Sequence, residues 1–228
     1  MRILAIDAVH GGLSLGLFDG PDFEPLAEKR IEAKAGAADA IVPEIDALMR
    51  GAGCAFSQLN RIAVTSGPGS YTGLRAGIAA AQGIGLGCGK PVIGVSALTA
   101  FAAPFLRQEG EENRILIAAI DARHGAVFTQ GFDARGRTVS DAGYALIADA
   151  ARGFLDHSVI AAGSGAAQLV GEIWAQGGRA RLGSAAAEPE LAWIARLAAA
   201  APEDAGVKPL YLKKPDARPQ DGKAVSRK

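Results

Sequence analysis

RIAVTSGPGSYTGLRAGIAAAQGIGLGCGKPVIGVS, residues Arg61 to Ser96, decides how this chain is read. Ile62, Ala63 and Val64 form a short apolar run of strand type that stops at Gly67-Pro68-Gly69, residues that continue neither a strand ladder nor a helix. The chain turns there. Ser70 and Thr72 both suit an N-cap, and the proline-free run from Gly73 to Gly87, small or apolar nearly throughout, reads as a helix. Pro91 to Val95 reads as a second buried strand, so the unit is strand, tight loop, helix, strand.

Gly73, Gly77, Gly83, Gly85 and Gly87 all fall in that helix. Each interior glycine costs about 1 kcal/mol against alanine in an exposed helix, so something must offset them. Ala76, Ala80, Gly83 and Gly87 stand at i, i+4, i+7 and i+11, one continuous face with almost no side chain that lets another element approach closely. The opposite face, Leu74, Ile78, Ala81 and Gly85, is apolar too, leaving Arg75 and Gln82 as the long polar groups. A helix apolar nearly all round is buried on two sides. Tight packing within the chain would serve, and so would a second protein covering what the sheet leaves open.

With 228 residues and 49% hydrophobic content, the chain is long enough for one large domain or two lobes with a real core. Its 24 basic and 24 acidic residues cancel, so the chain as a whole carries no electrostatic footprint for nucleic acid or membrane. Cys54 and Cys88 lack metal-type spacing and, in a chain opening directly on MRILAID, point to a reducing cytoplasm. No signal peptide or membrane span is expected.

In order, Arg2 to Ile6 reads as a strand ending at Asp7, Gly11-Gly12 as a turn, Leu13 to Phe18 as its hairpin partner and Leu26 to Ile31 as a third strand. From Ala38 to Gly51 the residues Ile41, Ile45, Leu48 and Met49 keep helical spacing, with Pro43 tolerable near the first turn. Ser96 caps a helix reaching about Phe105. The second half then repeats the first. At one constant offset Ile6, Asp7, Ala8, His10, Gly11, Phe18 and Asp19 match Ile120, Asp121, Ala122, His124, Gly125, Phe132 and Asp133, a duplicated strand-turn-strand opening. Expected after it are a strand at Tyr144 to Ile147, a helix at Asp149 to Leu155, and a strand at Ser158 to Ala162. A helix follows Gly163-Ser164-Gly165, then a strand at Arg179 to Leu182, a helix at Pro189 to Ala201 and a last ordered run at Pro209 to Leu212. The polar, proline-bearing end reads as disordered.

The expected fold class is α/β. Two copies of a three-strand hairpin sheet followed by alternating helices and strands resemble the duplicated actin-like (ribonuclease H-like) fold of actin and sugar kinases, with two lobes that each hold a mixed five-stranded sheet and flanking helices. The expected division is 1–103, 104–215 with a late helix free to pack back on the first lobe, and a tail at 216–228. In that fold a nucleotide sits between the lobes, its phosphates held by glycine turns and an Asp after the first strand. Asp7 and Gly11 keep those positions here, although Ala8-Val9-His10 replaces the hydroxyl residues that would donate to phosphate, so nucleotide binding by this chain alone is expected to be weak.

SGPGSYTGLR at Ser66 to Arg75, with ILAID, IDARHGAVF at Ile120 to Phe128 and PLYLKKP at Pro209 to Pro215, resembles the bacterial TsaB (YeaZ) family of tRNA threonylcarbamoyladenosine proteins over nearly the whole chain. The resemblance implies a non-catalytic role in making threonylcarbamoyladenosine beside the anticodon. The chain would pair with a TsaD-type transferase, with a TsaE-type ATPase joining the complex, a homodimer forming when alone and tRNA as substrate of the assembly. It also implies that ATP and a metal ion belong to the partner subunits and none to this chain alone. The interface helices of the family match Ala38–Gly51 and Gly73–Gly87, which makes Ile41, Ile45, Ser70, Tyr71, Thr72, Leu74, Arg75, Ala76, Ile78, Ala80, Gly83 and Gly87 the interface candidates.

Catalytic groups are expected to be absent. His10, His124 and His157 are the three histidines and none pairs at helical spacing, as a converging metal site requires. Lys34 to Pro43 reads KAGAADAIVP, with Ala37 where the family often keeps a histidine. Ser66, Ser70 and Thr72 lie in a glycine turn without a nucleophile elbow, and Gly89-Lys90 is followed by Pro91 in place of Ser or Thr. The remaining alternative is a stand-alone ATP- or metal-dependent enzyme of the same superfamily.

Overall fold

The computed structural model describes residues 1–32, 37–106 and 114–213. The readings at Lys34 to Gly36 and for the 216–228 tail lie outside them, as does the side chain of Ala37.

The opening strand β1 (Ile3–Asp7) is buried along its whole length, as a run with apolar side chains on both faces must be at the centre of a sheet. β2 (Gly12–Asp19) returns antiparallel to it and β3 (Glu24–Glu32), largely exposed and charged, forms the edge. β4 (Arg61–Thr65) and β5 (Val92–Val95) add in parallel on the other side, giving the order β3-β2-β1-β4-β5. The second sheet repeats this: β6 (Arg114–Asp121), β7 (Ala126–Phe132), β8 (Thr138–Leu146), β9 (Ser158–Ala162) and β10 (Arg179–Ser184) in the order β10-β9-β6-β7-β8. The expected duplication is therefore one of topology and pairing sense as well as sequence.

Helices α1 (Ala37–Gly51) and α2 (Tyr71–Cys88) lie side by side on one face of the first sheet. Ile41, Ile45, Leu48 and Met49 of α1 and Leu74, Ile78 and Ala81 of α2 close a core with Leu4, Ile6 and Leu15. Ser70 is the N-cap, its Oγ accepting from Gly73 N at 3.2 Å, so Thr72 already lies inside the helix. Gly89 ends the helix in the left-handed conformation.

Two of the remaining helices cross over between the halves. α3 (Ala97–Ala102) follows the first sheet but sets Ala97, Leu98 and Phe101 against Leu116, Ile120 and Phe128 of the second. α6 (Leu191–Ala200) follows the second sheet but packs Leu191, Ile194, Ala195 and Ala198 on Ile3, Ala5 and Ala63 of the first. Buried Arg61 fastens it there, its guanidinium donating to the carbonyls of Ala198 (2.8 Å) and Ala201 (2.5 Å), a cation where the helix dipole favours one. Ala100 of α3 also joins Ile93 and Val95 in the first sheet's core, so α3 bridges the two halves. α4 (Ile147–Arg152) and α5 (Ala166–Ala175) cover the other face of the second sheet.

Two elements differ from expectation. β8 runs Thr138–Leu146, longer and earlier than Tyr144 to Ile147, and α4 takes Ile147 as its first residue. The sequence TVSDAGYAL has no apolar run, and its strand form comes from pairing along β7. Pro209 to Leu212 belongs to neither strand nor helix.

Candidate functional site

The first hairpin turn is closed. Ala8 and Val9 are covered by the Pro68–Ser70 loop and the start of α2: Ser70 N donates to Val9 O at 3.2 Å, and a Cβ on Gly73 would stand 1.9 Å from Ala8 O. Only glycine allows that approach. Asp7, 2% exposed, spends one carboxylate oxygen on Val9 N and the other on His10 Nδ1, both at 2.9 Å. A carboxylate can only accept, so Nδ1 carries the proton and Nε2 is buried without a partner among the described residues; the ring packs at right angles to Phe101, centroids 5.7 Å apart. Both Asp7 oxygens are thus engaged within the turn, where Gly11 takes φ 67. His10 is a buried partner of Asp7.

The matching turn in the second half is open. Asp121, Arg123, His124 and Gly125 are exposed, Arg123 and His124 with positive φ. Asp121 Oδ1 accepts from Arg123 N at 2.8 Å, and Ser164 Oγ accepts from Asp121 N at 3.0 Å. This turn lines a cleft of about 370 Å³ between the two halves, opposite Gly69, Ser70 and Tyr71.

A strap at residues 206–213 roofs that cleft. Gly94 N donates to Gly206 O at 3.0 Å and Leu210 N to Ser66 O at 2.8 Å, fixing the strap along the edge of the first sheet. Tyr211 then lies against Tyr71, ring centroids 5.4 Å apart, and Lys213 reaches over Tyr144 at 5.7 Å. Arg75 stands over the Tyr71 ring at 5.4 Å.

Along α2 the glycines divide by face. Gly73, Gly77 and Gly85 point inward, and a Cβ on Gly85 would meet Val92 Cγ2 at 2.3 Å; around Gly83 and Gly87 nothing lies within 4 Å. Of the interface candidates, Ile41, Ile45, Leu74 and Ile78 are buried in the chain's own core. Ala76 and Ala80 are half-buried against the same core. Thr72, Gly83 and Gly87 are exposed, Ser70 is spent as the cap, and Tyr71 lines the cleft with Arg75 over its ring. Missed by the sequence reading are Ala79 and Leu86, which complete an outward stripe with Gly83 and Gly87; Leu86 is 88% exposed, and Val42 of α1 is exposed as well. The spacing i, i+4, i+7, i+8 from Ala79 was the available signal.

Among the described residues no group of three or more His, Cys, Asp or Glu is placed to hold a metal ion, and no helix is long and apolar enough to cross a membrane.

Residues 32–169 match the family described as TsaD, tRNA N6-adenosine threonylcarbamoyltransferase. The tRNA threonylcarbamoyladenosine biosynthesis protein TsaB of Escherichia coli is 37% identical over 132 residues, 56% of this chain and 53% of that protein, so this match spans about half the length of that relative. An uncharacterized protein of Mycobacterium tuberculosis is 31% identical over 95% of this chain and 94% of its own length. Among solved structures, YeaZ from Pseudomonas aeruginosa superposes with a TM-score of 0.67 at 25% identity, covering 87% of this chain and 90% of that one. A shared duplicated fold, a family match over more than half the chain and this set of relatives place it: the chain belongs to the TsaB/YeaZ family.

Proposed function

We propose that this chain is a non-catalytic subunit in tRNA N6-threonylcarbamoyladenosine synthesis, docking on a TsaD-type transferase and switching on its activity. The observation that carries the reading is the outward stripe of α2, where Ala79, Gly83, Leu86 and Gly87 leave backbone and one large apolar side chain uncovered. A stripe of small residues lets a second helix approach closely, and the uncovered Leu86 supplies apolar area that only a neighbour buries. The closed first turn supports the division of labour, because Asp7 and His10 are spent on each other and on backbone. ATP, metal and transfer chemistry are then the partners' contribution, with a TsaE-type ATPase completing the assembly in the cytoplasm. Without a partner, the same stripe would serve a second copy of the chain.

The test is reconstitution. The cognate transferase with its ATPase and threonylcarbamoyl donor is assayed on tRNA with and without this chain; the reading expects product formation to depend on it. Equal rates in both arms contradict it.

A further inference from the structure

We propose that the cleft under the strap receives one unpaired nucleobase of an RNA strand, with the adjoining phosphate on Arg123. Two aromatic–cation stacks contribute to the cleft lining, Tyr71 and Tyr211 from one, Phe128 and Lys213 from the other. On one side Arg75, Tyr71 and Tyr211 follow one another at 5.4 Å spacings; on the other Lys213, Tyr144 and Phe128 do so at 5.7 and 5.6 Å. Tyr71, Tyr211 and Phe128 line the cavity between them, whose volume of about 370 Å³ suits a single planar ring system with its sugar. Tyr71 and Tyr211 are 43% and 50% exposed, large aromatic surfaces that their mutual contact leaves half uncovered.

Polar groups in the cleft are arranged for the rest of a nucleotide. The Arg123 guanidinium carries no ion pair among the described residues and stands on a turn whose backbone is fixed by Asp121. Asp121 is the one carboxylate among the described residues lining the cleft, and the Arg123 guanidinium supplies charge-assisted donors for one phosphodiester there although the whole chain has no net charge. Asp121 keeps its second oxygen for a ribose hydroxyl or an exocyclic amine. Sequence-tolerant stacking beside a cation is how proteins hold single strands, since every base presents a π-face. The choice of RNA rests on the function proposed above; the stacks and the charge do not.

The experiment measures fluorescence anisotropy of a labelled single-stranded oligoribonucleotide titrated with the full chain at several salt concentrations. Salt-sensitive binding is expected, weakened at least about fivefold by Tyr71→Ala and again by Tyr211→Ala, and retained by Tyr71→Phe. Arg123→Gln is expected to lower the slope of log affinity on log salt by about 0.7, one phosphate contact. Thermal unfolding of each variant separates lost binding from lost fold. Unchanged binding in folded alanine variants, equal affinity for a blunt duplex, or a mononucleotide bound as tightly as the strand would each overturn the proposal. Oligonucleotide binding with the expected variant losses, but no effect of the chain on reconstituted modification, would leave this site standing and remove the proposed function; the converse result removes the site alone.

Discussion

Asp7–Gly11 and Asp121–Gly125 occupy the same place in two copies of one sheet, yet one turn is sealed and the other faces a cleft. Asp, Ala, His and Gly recur at matching positions, but apolar Val9 stands where the second turn has Arg123. The loop that each half sets beside its turn differs as well. After β4 a glycine loop and the start of α2 press onto Ala8 and Val9, whereas in the second half Gly163 and Gly165 bring their loop against Ala119, Ile120 and the backbone of Asp121 and leave the turn beyond it free. A duplicated fold thus keeps its framework while one ligand-facing turn becomes core and the other remains a surface. Asp19 and Asp133 show the opposite outcome, for both stay tied to an arginine: Arg2 for the first, Arg137 for the second.

The largest expected effect breaks the seal. Gly73→Ala drives a Cβ into Ala8 O and should destabilise the chain by about 1–3 kcal/mol or more, read as a drop in the denaturation midpoint. Gly83→Ala, with nothing within 4 Å, should instead raise stability by up to about 1 kcal/mol. The same sign for both would mean that the two glycine faces are not distinct.

Next come the paired carboxylates. Asp7→Ala leaves a buried Val9 N–H and the His10 ring without their acceptor and should cost about 1–3 kcal/mol, against no more than about 1 kcal/mol for the exposed Asp121→Ala. Equal losses in urea titrations would show that the first turn is not sealed in solution.

The smallest effect concerns pH. Hydrogen bonds from Arg2, then from Gly20 N, hold Asp19 below the usual carboxylate range, and bonds from the Arg137 backbone and guanidinium, then Arg135 N, do the same for Asp133. A lowered carboxylate stabilises fully above its unfolded value, near pH 4, and that contribution is lost as pH falls through the folded value. Tm differences between wild type and Asp19→Asn or Asp133→Asn should therefore be small at neutral pH, shrink below about pH 4 and weaken in salt. A difference that widens in acid would contradict the assignment.

Much of the framework was readable from residues. Ile41 through Met49 mark α1 by spacing, SGPGS marks the turn and cap before α2, and the constant offset between Asp7 and Asp121 exposes the duplication. Which face of α2 looks outward was not readable, because both of its faces are apolar and only the position of the sheet makes Gly73 and Gly85 inward and Gly83 and Gly87 outward. Nor was the fate of Asp7, which depends on a loop about sixty residues on lying across its turn. The cleft escaped for a similar reason: Tyr71, Arg123 and Tyr211 are brought together by the strap, and their spacing in sequence carries no period.

The central claim is that the outward stripe of α2 is where a transferase subunit sits. Its most direct test is light scattering on mixtures of the cognate TsaD-type protein with this chain, with Gly83→Arg and with Leu86→Glu, two substitutions at exposed positions that leave the core untouched. The account predicts a stable complex for the wild type and separate species for both variants at unchanged thermal stability. Full complex formation by the two variants would contradict it.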